Sequence, residues 1–327
     1  KLYKILFFNS MIMGTLISVS AYTWFTAWMG LEINLLSIIP MFKNHKNKYP
    51  SESALKYFIT QVMASSILLF TMIYFFSIKN PLSESLTTTE SMMMSTSLLL
   101  KMGAAPFHFW FPEVMNGLNW TNSFILLTWQ KIAPLVLISY NIKINMFFIS
   151  TIIITSSIVS GIQGLNQVCI RKIMAYSSIN HVSWMLAALL NSMNTCMTYF
   201  LVYSIINLNM ILILKKFKLF YLNQLASMFS YSKKIKFFFM LNFMSLGGLP
   251  PFLGFMPKWL VMNNLINSYN YTLSCILIIF TLVSLYFYLR ITFSSFSLLN
   301  EESLMLLLNK MNFFYFMTNL FSLCGLI

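Results

Sequence analysis

Apolar runs of about 20 residues, separated by short polar stretches, recur along nearly the whole chain, and a helix crossing hydrocarbon needs about that length. The pattern predicts spans over 3–20, 23–42, 55–78, 91–111, 121–141, 146–164, 172–190, 195–214, 235–266, 272–295 and 311–327. That makes about eleven transmembrane helices, the ninth of them long and interrupted. The polar connections, among them 43–54, 215–234 and 296–310, are too short for a separate soluble domain. The expected fold is therefore all-α: a polytopic membrane protein with a single membrane domain over 1–327.

Composition agrees and excludes other classes. Of 327 residues, 58% are hydrophobic and 9% charged, against about 25% charged in a soluble domain. Mean hydropathy is +0.74. A soluble enzyme and a disordered chain are excluded. The net charge of +14 does not indicate a nucleic-acid binder, because its sources are lysines thinly spread among apolar runs. All seven acidic residues are Glu. Lys in preference to Arg, with abundant Ile, Asn, Phe and Met, is what an AT-rich coding sequence produces, and hints at an organelle genome. The chain opens on Lys1 rather than Met, so residues are expected to precede it.

Sorting the basic residues orients the spans. The N-terminus and every second connection hold Lys1, Lys4, Lys43, Lys46, Lys48, Arg171, Lys172, Lys215, Lys216, Lys218, Lys233, Lys234, Lys236 and Lys310; the other side holds Lys79 and Lys143. By the positive-inside rule the N-terminus lies inside and, after eleven spans, the C-terminus outside. Five basic residues remain within spans: Lys56, Lys101, Lys131, Lys258 and Arg290.

Two segments share a pattern. Pro106-Phe107-His108-Phe109-Trp110-Phe111-Pro112-Glu113 and Pro251-Phe252-Leu253-Gly254-Phe255-Met256-Pro257-Lys258 both read Pro-Phe, four residues, Pro, then an ionisable residue. They fall in the fourth and ninth predicted helices, five apart. An odd separation gives two five-helix units opposite topology, the layout of inverted-repeat transporters with sites at discontinuous helices. The expected repeats are 1–142 and 146–295, with 311–327 as an additional helix. Proline removes a helical hydrogen bond, and Gly247-Gly248-Leu249-Pro250-Pro251 should open the ninth helix outright. Freed backbone groups at that depth are tolerated only inside protein or beside water.

Glu32, Lys101, Lys131 and Lys258 are the candidate site. Each costs roughly 2.5–3.5 kcal/mol at the bilayer centre on insertion scales, so a packed bundle must supply partners or water. A buried lysine holds or releases its proton according to whether a carboxylate is near. Glu32 is expected to modulate Lys101, Lys101 to pass a proton towards Lys131, and Lys258 to be the far terminal. His108 and His181 would bridge by switching tautomer. The competing reading for each lysine is snorkelling or a fixed ion pair. For His108, His181 and Glu113 it is capping or tying a helix end. Lys56 and Arg290, near span ends, are expected to snorkel.

No cofactor site is signalled. Cys169, Cys196, Cys275 and Cys324 show no CxxC spacing, so neither an iron–sulfur nor a zinc site is indicated. No GxGxxG or Walker loop occurs, and three histidines form no haem-ligating pair. Electron chemistry would belong to partners.

The stretches WMGLEINLLSIIP (28–40), ESALKYFITQ (52–61), LLLKMGAAPFHFWFPEV (98–114), LLTWQKIAPL (126–135), GLNQVCIRKIMAYSSINH (164–181), SLGGLPPFLGFMPKW (245–259) and LYFYLR (285–290) together carry a family resemblance. In them the chain resembles the NADH–ubiquinone oxidoreductase chain 2 family, antiporter-like membrane subunits of respiratory complex I, in its animal mitochondrial form. Ser183 stands where that family usually has Gly. The resemblance implies a proton-translocating unit of a larger pump, with Glu32 as the glutamate of the first half-channel. Lys101 matches the broken-helix lysine, Lys131 the central lysine and Lys258 the distal-half lysine. It implies that NADH, FMN, iron–sulfur clusters and ubiquinone are bound by partner subunits. It also implies a neighbouring antiporter-like chain 4 and small membrane subunits as partners, with cardiolipin around the matrix-facing lysines. The mitochondrial inner membrane follows as the location. A stand-alone cation/proton antiporter and a purely structural spacer are the alternatives; the residues alone reach only an inverted-repeat ion transporter.

Overall fold

The computed structural model describes residues 2–43, 48–78, 87–225, 233–297 and 319. The expected span 311–327, residue 319 apart, and Cys324 lie outside the described residues, as do Lys1, Lys46, Lys79 and Lys310. Among the described residues the regular structure is helical, with thirteen α-helices and one 3-10 turn. The chain divides into two compact units, Lys1–Ile152 and Ile153–Ile327.

The first unit contains α1 (Leu2–Val19), α2 (Trp24–Phe42), α3 (Tyr49–Ile78), α4 (Thr88–Met102), α5 (Trp110–Gly117), α6 (Trp120–Leu127) and α7 (Trp129–Asn141). The helices start where local chemistry lets them. Thr23 caps α2, its hydroxyl accepting from the Thr26 backbone. Thr87 and Glu90 form a reciprocal capping box on α4. Small residues set the approach of α1 to α2: a side chain at Gly14 or Gly30 would stand within 3.0 Å of the facing backbone. That contact fixes α2, and with it Glu32 and Asn34, against the rest of the unit. α2 packs on α3, α3 on α4 and α5, and α4 on α7.

α8 (Met146–Leu165) straddles the division between the units. The second unit continues with α9 (Ile170–Leu189), α10 (Met193–Phe217), the turn Leu222–Gln224, α11 (Lys233–Gly247), α12 (Phe255–Asn267) and α13 (Tyr271–Ser297). α9 contacts α10, α12 and α13, and nearly all of its residues are buried.

Seven helical stretches among the described residues are long and apolar enough to cross a membrane: Leu2–Val19, Trp24–Phe42, Tyr49–Ser77, Trp120–Asn141, Met146–Leu165, Met193–Phe217 and Tyr271–Phe293. The other four of the eleven expected spans differ for physical reasons. The fourth and ninth resolve into short pieces, α4 with α5 and α11 with α12. The seventh, α9, is long enough but polar. Every position from Ser177 to Leu189 is buried, so protein rather than lipid surrounds it and it needs no apolar surface. The eleventh lies outside the described residues. A further discontinuity, unsignalled by any Pro-Gly run, parts α6 from α7 at Thr128 (φ −114°, ψ −70°).

The faces are those of a membrane protein. On α13, Ile279, Leu282, Tyr286 and Phe293 point outward while Ser274, Ser284 and Thr292 are buried. Hydroxyls on this and other helices donate to carbonyls three or four residues back, as Ser284 does to Thr281, which meets their hydrogen-bond demand without water.

Candidate functional site

In each unit one helix ends and a shorter one begins a few residues on, and in each the carbonyls at the first helix's end find a donor. In the first unit α4 ends on Gly103 in the left-handed region (φ 74°). The chain runs irregularly through Pro106 and His108 to α5. The indole Nε1 of Trp110 donates to Leu100 O at 3.1 Å. Lys101, 7% exposed, is therefore not needed to close that helix end. Its side chain lines a small cavity shared with Asn34, Tyr57, Gln61 and Gln130. Glu32, on α2, lies close enough to act electrostatically on both Lys101 and Tyr57. The Glu32 Oε1 atom is buried without a hydrogen-bond partner among the described residues.

A chain of neutral groups lines the same cavity. The Tyr57 hydroxyl donates to Gln130 Oε1 at 3.3 Å, and Gln130 Nε2 donates to Asn34 Oδ1 at 2.8 Å. Gln130 precedes Lys131, so the start of α7 faces the Lys101 cavity. Lys131 is 1% exposed, and its ammonium lies 5.5 Å from the centroid of the Phe111 ring, within cation–π range. His108 is buried in the segment between α4 and α5, with Nδ1 3.3 Å from Pro106 O.

In the second unit the interruption is served differently. α11 ends before Gly248, which has φ +78°, and α12 begins at Phe255. Lys258, buried in the first turn of α12, donates to Gly247 O at 2.8 Å and Leu246 O at 3.3 Å. Its ammonium thus occupies the carbonyl end of α11, where the helix dipole is negative. The ring of Trp184, on α9, lies 6.0 Å away. One turn earlier on α9, His181 Nδ1 is 2.8 Å from the Tyr199 hydroxyl.

The paired sequence pattern equates Glu113 with Lys258, and here the structure differs. Lys258 is buried, whereas the Glu113 side chain is 57% exposed and pairs with Lys56 at 2.9 Å. The neighbours of Glu113 on α5, Phe111, Pro112, Val114 and Met115, take the buried positions, which turns Glu113 outward. Lys56 does more than snorkel: α3 begins at Tyr49 rather than 55, which puts Lys56 one turn beyond Glu52, 3.1 Å from it. Arg290 likewise does not snorkel. It donates to Leu165 O at 2.6 Å, an orphan carbonyl at the last residue of α8, and to Gln167 O at 2.9 Å, just beyond that helix.

The family described as "NADH:quinone oxidoreductase/Mrp antiporter, TM" matches residues 21–284. The NADH-ubiquinone oxidoreductase chain 2 of Anopheles gambiae is 52% identical over 314 residues, 95% of this chain and 91% of that protein. The chain belongs to the NADH-ubiquinone oxidoreductase chain 2 family. The family member of Locusta migratoria is 47% identical over 94% of this chain and 90% of its own length. The fold is wider than the chain 2 family. A chain of respiratory complex I from Thermus thermophilus with bound aureothin superposes with a TM-score of 0.87 at 21% identity, over 100% of this chain and 78% of that one. A chain of the Mrp complex from Dietzia sp. DQ12-45-1b gives 0.77 at 14%, over 90% and 60%. For a chain 2 family member, Asn34, Tyr57, Gln61 and Gln130 are the residues that sequence reasoning passed over. The available signal was an amide or hydroxyl in an otherwise apolar span, which attracts less notice than a charge.

Proposed function

We propose that this chain carries protons within the membrane arm of NADH:ubiquinone oxidoreductase. Glu32, Lys101 and Lys131 form the relay of the first unit and Lys258 its far terminal, with His108 and His181 as bridging groups. The observation that supports this best is the burial of three lysines, each under a tenth exposed, in segments associated with membrane-crossing helices. Lys258 also serves the end of α11, but Lys101 closes no helix end, and a purely structural spacer would hold Leu or Met there at lower cost. The Lys101 cavity, walled by the polar groups of Asn34, Tyr57, Gln61 and Gln130, suits an amine that alternates between protonated and neutral forms.

Matching interruptions, each followed by a short helix, support reading 1–142 and 146–295 as inverted five-helix repeats, with 311–327 as an additional helix. The oxidation of NADH, and the FMN, iron–sulfur clusters and ubiquinone it needs, belong to partner subunits in this reading. The partners are the other membrane-arm subunits, including the antiporter-like chain 4, with cardiolipin at the basic face. The positive-inside distribution supports a mitochondrial inner-membrane chain with its N-terminus in the matrix and its C-terminus in the intermembrane space.

The test is Lys131→Met in the assembled complex, reconstituted in vesicles, with protons pumped per electron as the readout. The proposal expects a lower ratio with assembly intact. A normal ratio in an assembled Lys131→Met complex refutes the relay and favours the spacer. The description of the matching family, which also names the Mrp antiporter, leaves one further reading, a stand-alone cation/proton antiporter. Co-purification with an NADH-oxidising assembly separates the two.

A further inference from the structure

Among the polar groups that line the Lys101 cavity, one has a donor that no other described residue answers. Gln61, on α3, is 4% exposed. Its Nε2 is buried and has no hydrogen-bond partner among the described residues. A buried amide donor left unanswered is destabilising, so it calls for a partner. Gln61 lines the same cavity as Lys101, Tyr57, Gln130 and Asn34. The cavity measures about 10 Å³ by the positions open to a water's centre, room for about one water.

We propose that this cavity is a binding site for a single proton-carrying water and that Gln61 is its positioning residue. The inference rests on the relay reading and adds a member to it. A buried water needs two to four polar partners, and the lining supplies them. Gln61 Nε2 is a donor in every protonation state, because an amide does not titrate. Lys101 is a donor when protonated and an acceptor when neutral. The Tyr57 hydroxyl spends its hydrogen on Gln130, which leaves its oxygen as an acceptor. Gln130 in turn is committed at both ends, to Tyr57 and Asn34, so the network that holds Tyr57 in this state does not reverse freely.

These fixed polarities orient the water. Its oxygen accepts from Gln61, and its hydrogens point to Tyr57 and to the neutral amine of Lys101. When the amine takes a proton from the water, the O–H bond breaks, an N–H bond forms, and the hydroxide left behind recovers a proton from the next donor along the path. In the return direction the ammonium gives its proton to the water oxygen, and the hydronium so formed passes a proton on. The water therefore couples Lys101 to its neighbours without a titrating side chain at Gln61.

Gln61→Met keeps the length of the side chain and removes the donor. In vesicles holding the assembled complex, coupled NADH:quinone turnover should fall by about threefold to tenfold, the factor one net hydrogen bond represents. The solvent deuterium isotope effect should rise, and Gln61→His, which restores an N–H, should recover turnover. A merely structural role predicts lower assembly with an unchanged isotope effect, and that result overturns the proposal. A high-resolution map of the unmodified complex is independent of any variant: water density within hydrogen-bonding distance of Gln61 Nε2 supports the site, and a dry cavity refutes it. Lys101→Met separates the two levels of argument. If it abolishes pumping while Gln61→Met changes neither turnover nor isotope effect, the water site fails and the relay stands. If Lys101→Met pumps normally, the relay reading itself fails.

Discussion

Gly248→Ala tests how Lys258 is seated. Gly248 has φ +78°, a region that costs an L-residue roughly 1–2 kcal/mol. A Cβ there would stand 2.8 Å from Lys258 Cδ and 2.9 Å from its Nζ. Those atoms are the free end of a flexible chain, so the lysine moves in preference to the backbone. Moving it gives up its hold on Gly247 O and Leu246 O, at 2.8 and 3.3 Å. A hydrogen bond from a charged group contributes about 1.5–3 kcal/mol net. Counting one such bond plus the backbone term, Gly248→Ala should destabilise by about 2.5–5 kcal/mol. The decisive assay is a double-substitution cycle on the assembled complex, read by thermal melting. With Lys258→Ala already present there is no ammonium to displace, and the added cost of Gly248→Ala should shrink to the backbone term of roughly 1–2 kcal/mol. Equal melting shifts in both backgrounds would show that Gly248 and Lys258 are independent, and the account of this helix end would be wrong.

Gln130→Leu should remove both the Tyr57 and the Asn34 hydrogen bonds and destabilise by about 1–3 kcal/mol, since buried polar groups are left unanswered; a melting point within error of the parent would count against the network. Arg290→Lys should cost about 1.5–3 kcal/mol, because one ammonium does not reproduce two guanidinium bonds to the end of α8; melting of the assembled complex reads this too. Lys56→Gln should change stability little, because exposed ion pairs are screened by water. A large drop in melting temperature would mean that this pair is buried against a partner. Gly254→Ala should block assembly where Gly248→Ala does not, because its Cβ would collide with the Ser245 carbonyl, which is backbone and does not yield; native gels distinguish the two.

Most helices were legible because the hydrocarbon requirement is long-range and uniform. The expected spans 3–20, 23–42 and 146–164 match Leu2–Val19, Trp24–Phe42 and Met146–Leu165 to within a residue. The gap at Thr128 was not legible, since no Pro or Gly marks it, and neither was the true start of α3, because polar residues such as Glu52 extend that helix beyond its apolar run.

The sequence by itself determined that this is a helical membrane chain, and its family. Those properties follow from composition and from motifs read in order along the chain. Tertiary structure alone decided which polar groups meet. Glu113 and Lys258 occupy equivalent places in a repeated motif, yet one is turned outward to Lys56 and the other inward onto the carbonyls of α11. Lys101 shares a cavity with Tyr57, Gln61 and Gln130 from other helices. The physical reason is that lipid imposes one requirement on every outward face, whereas a buried polar group is answered only by whichever helix packing brings to it.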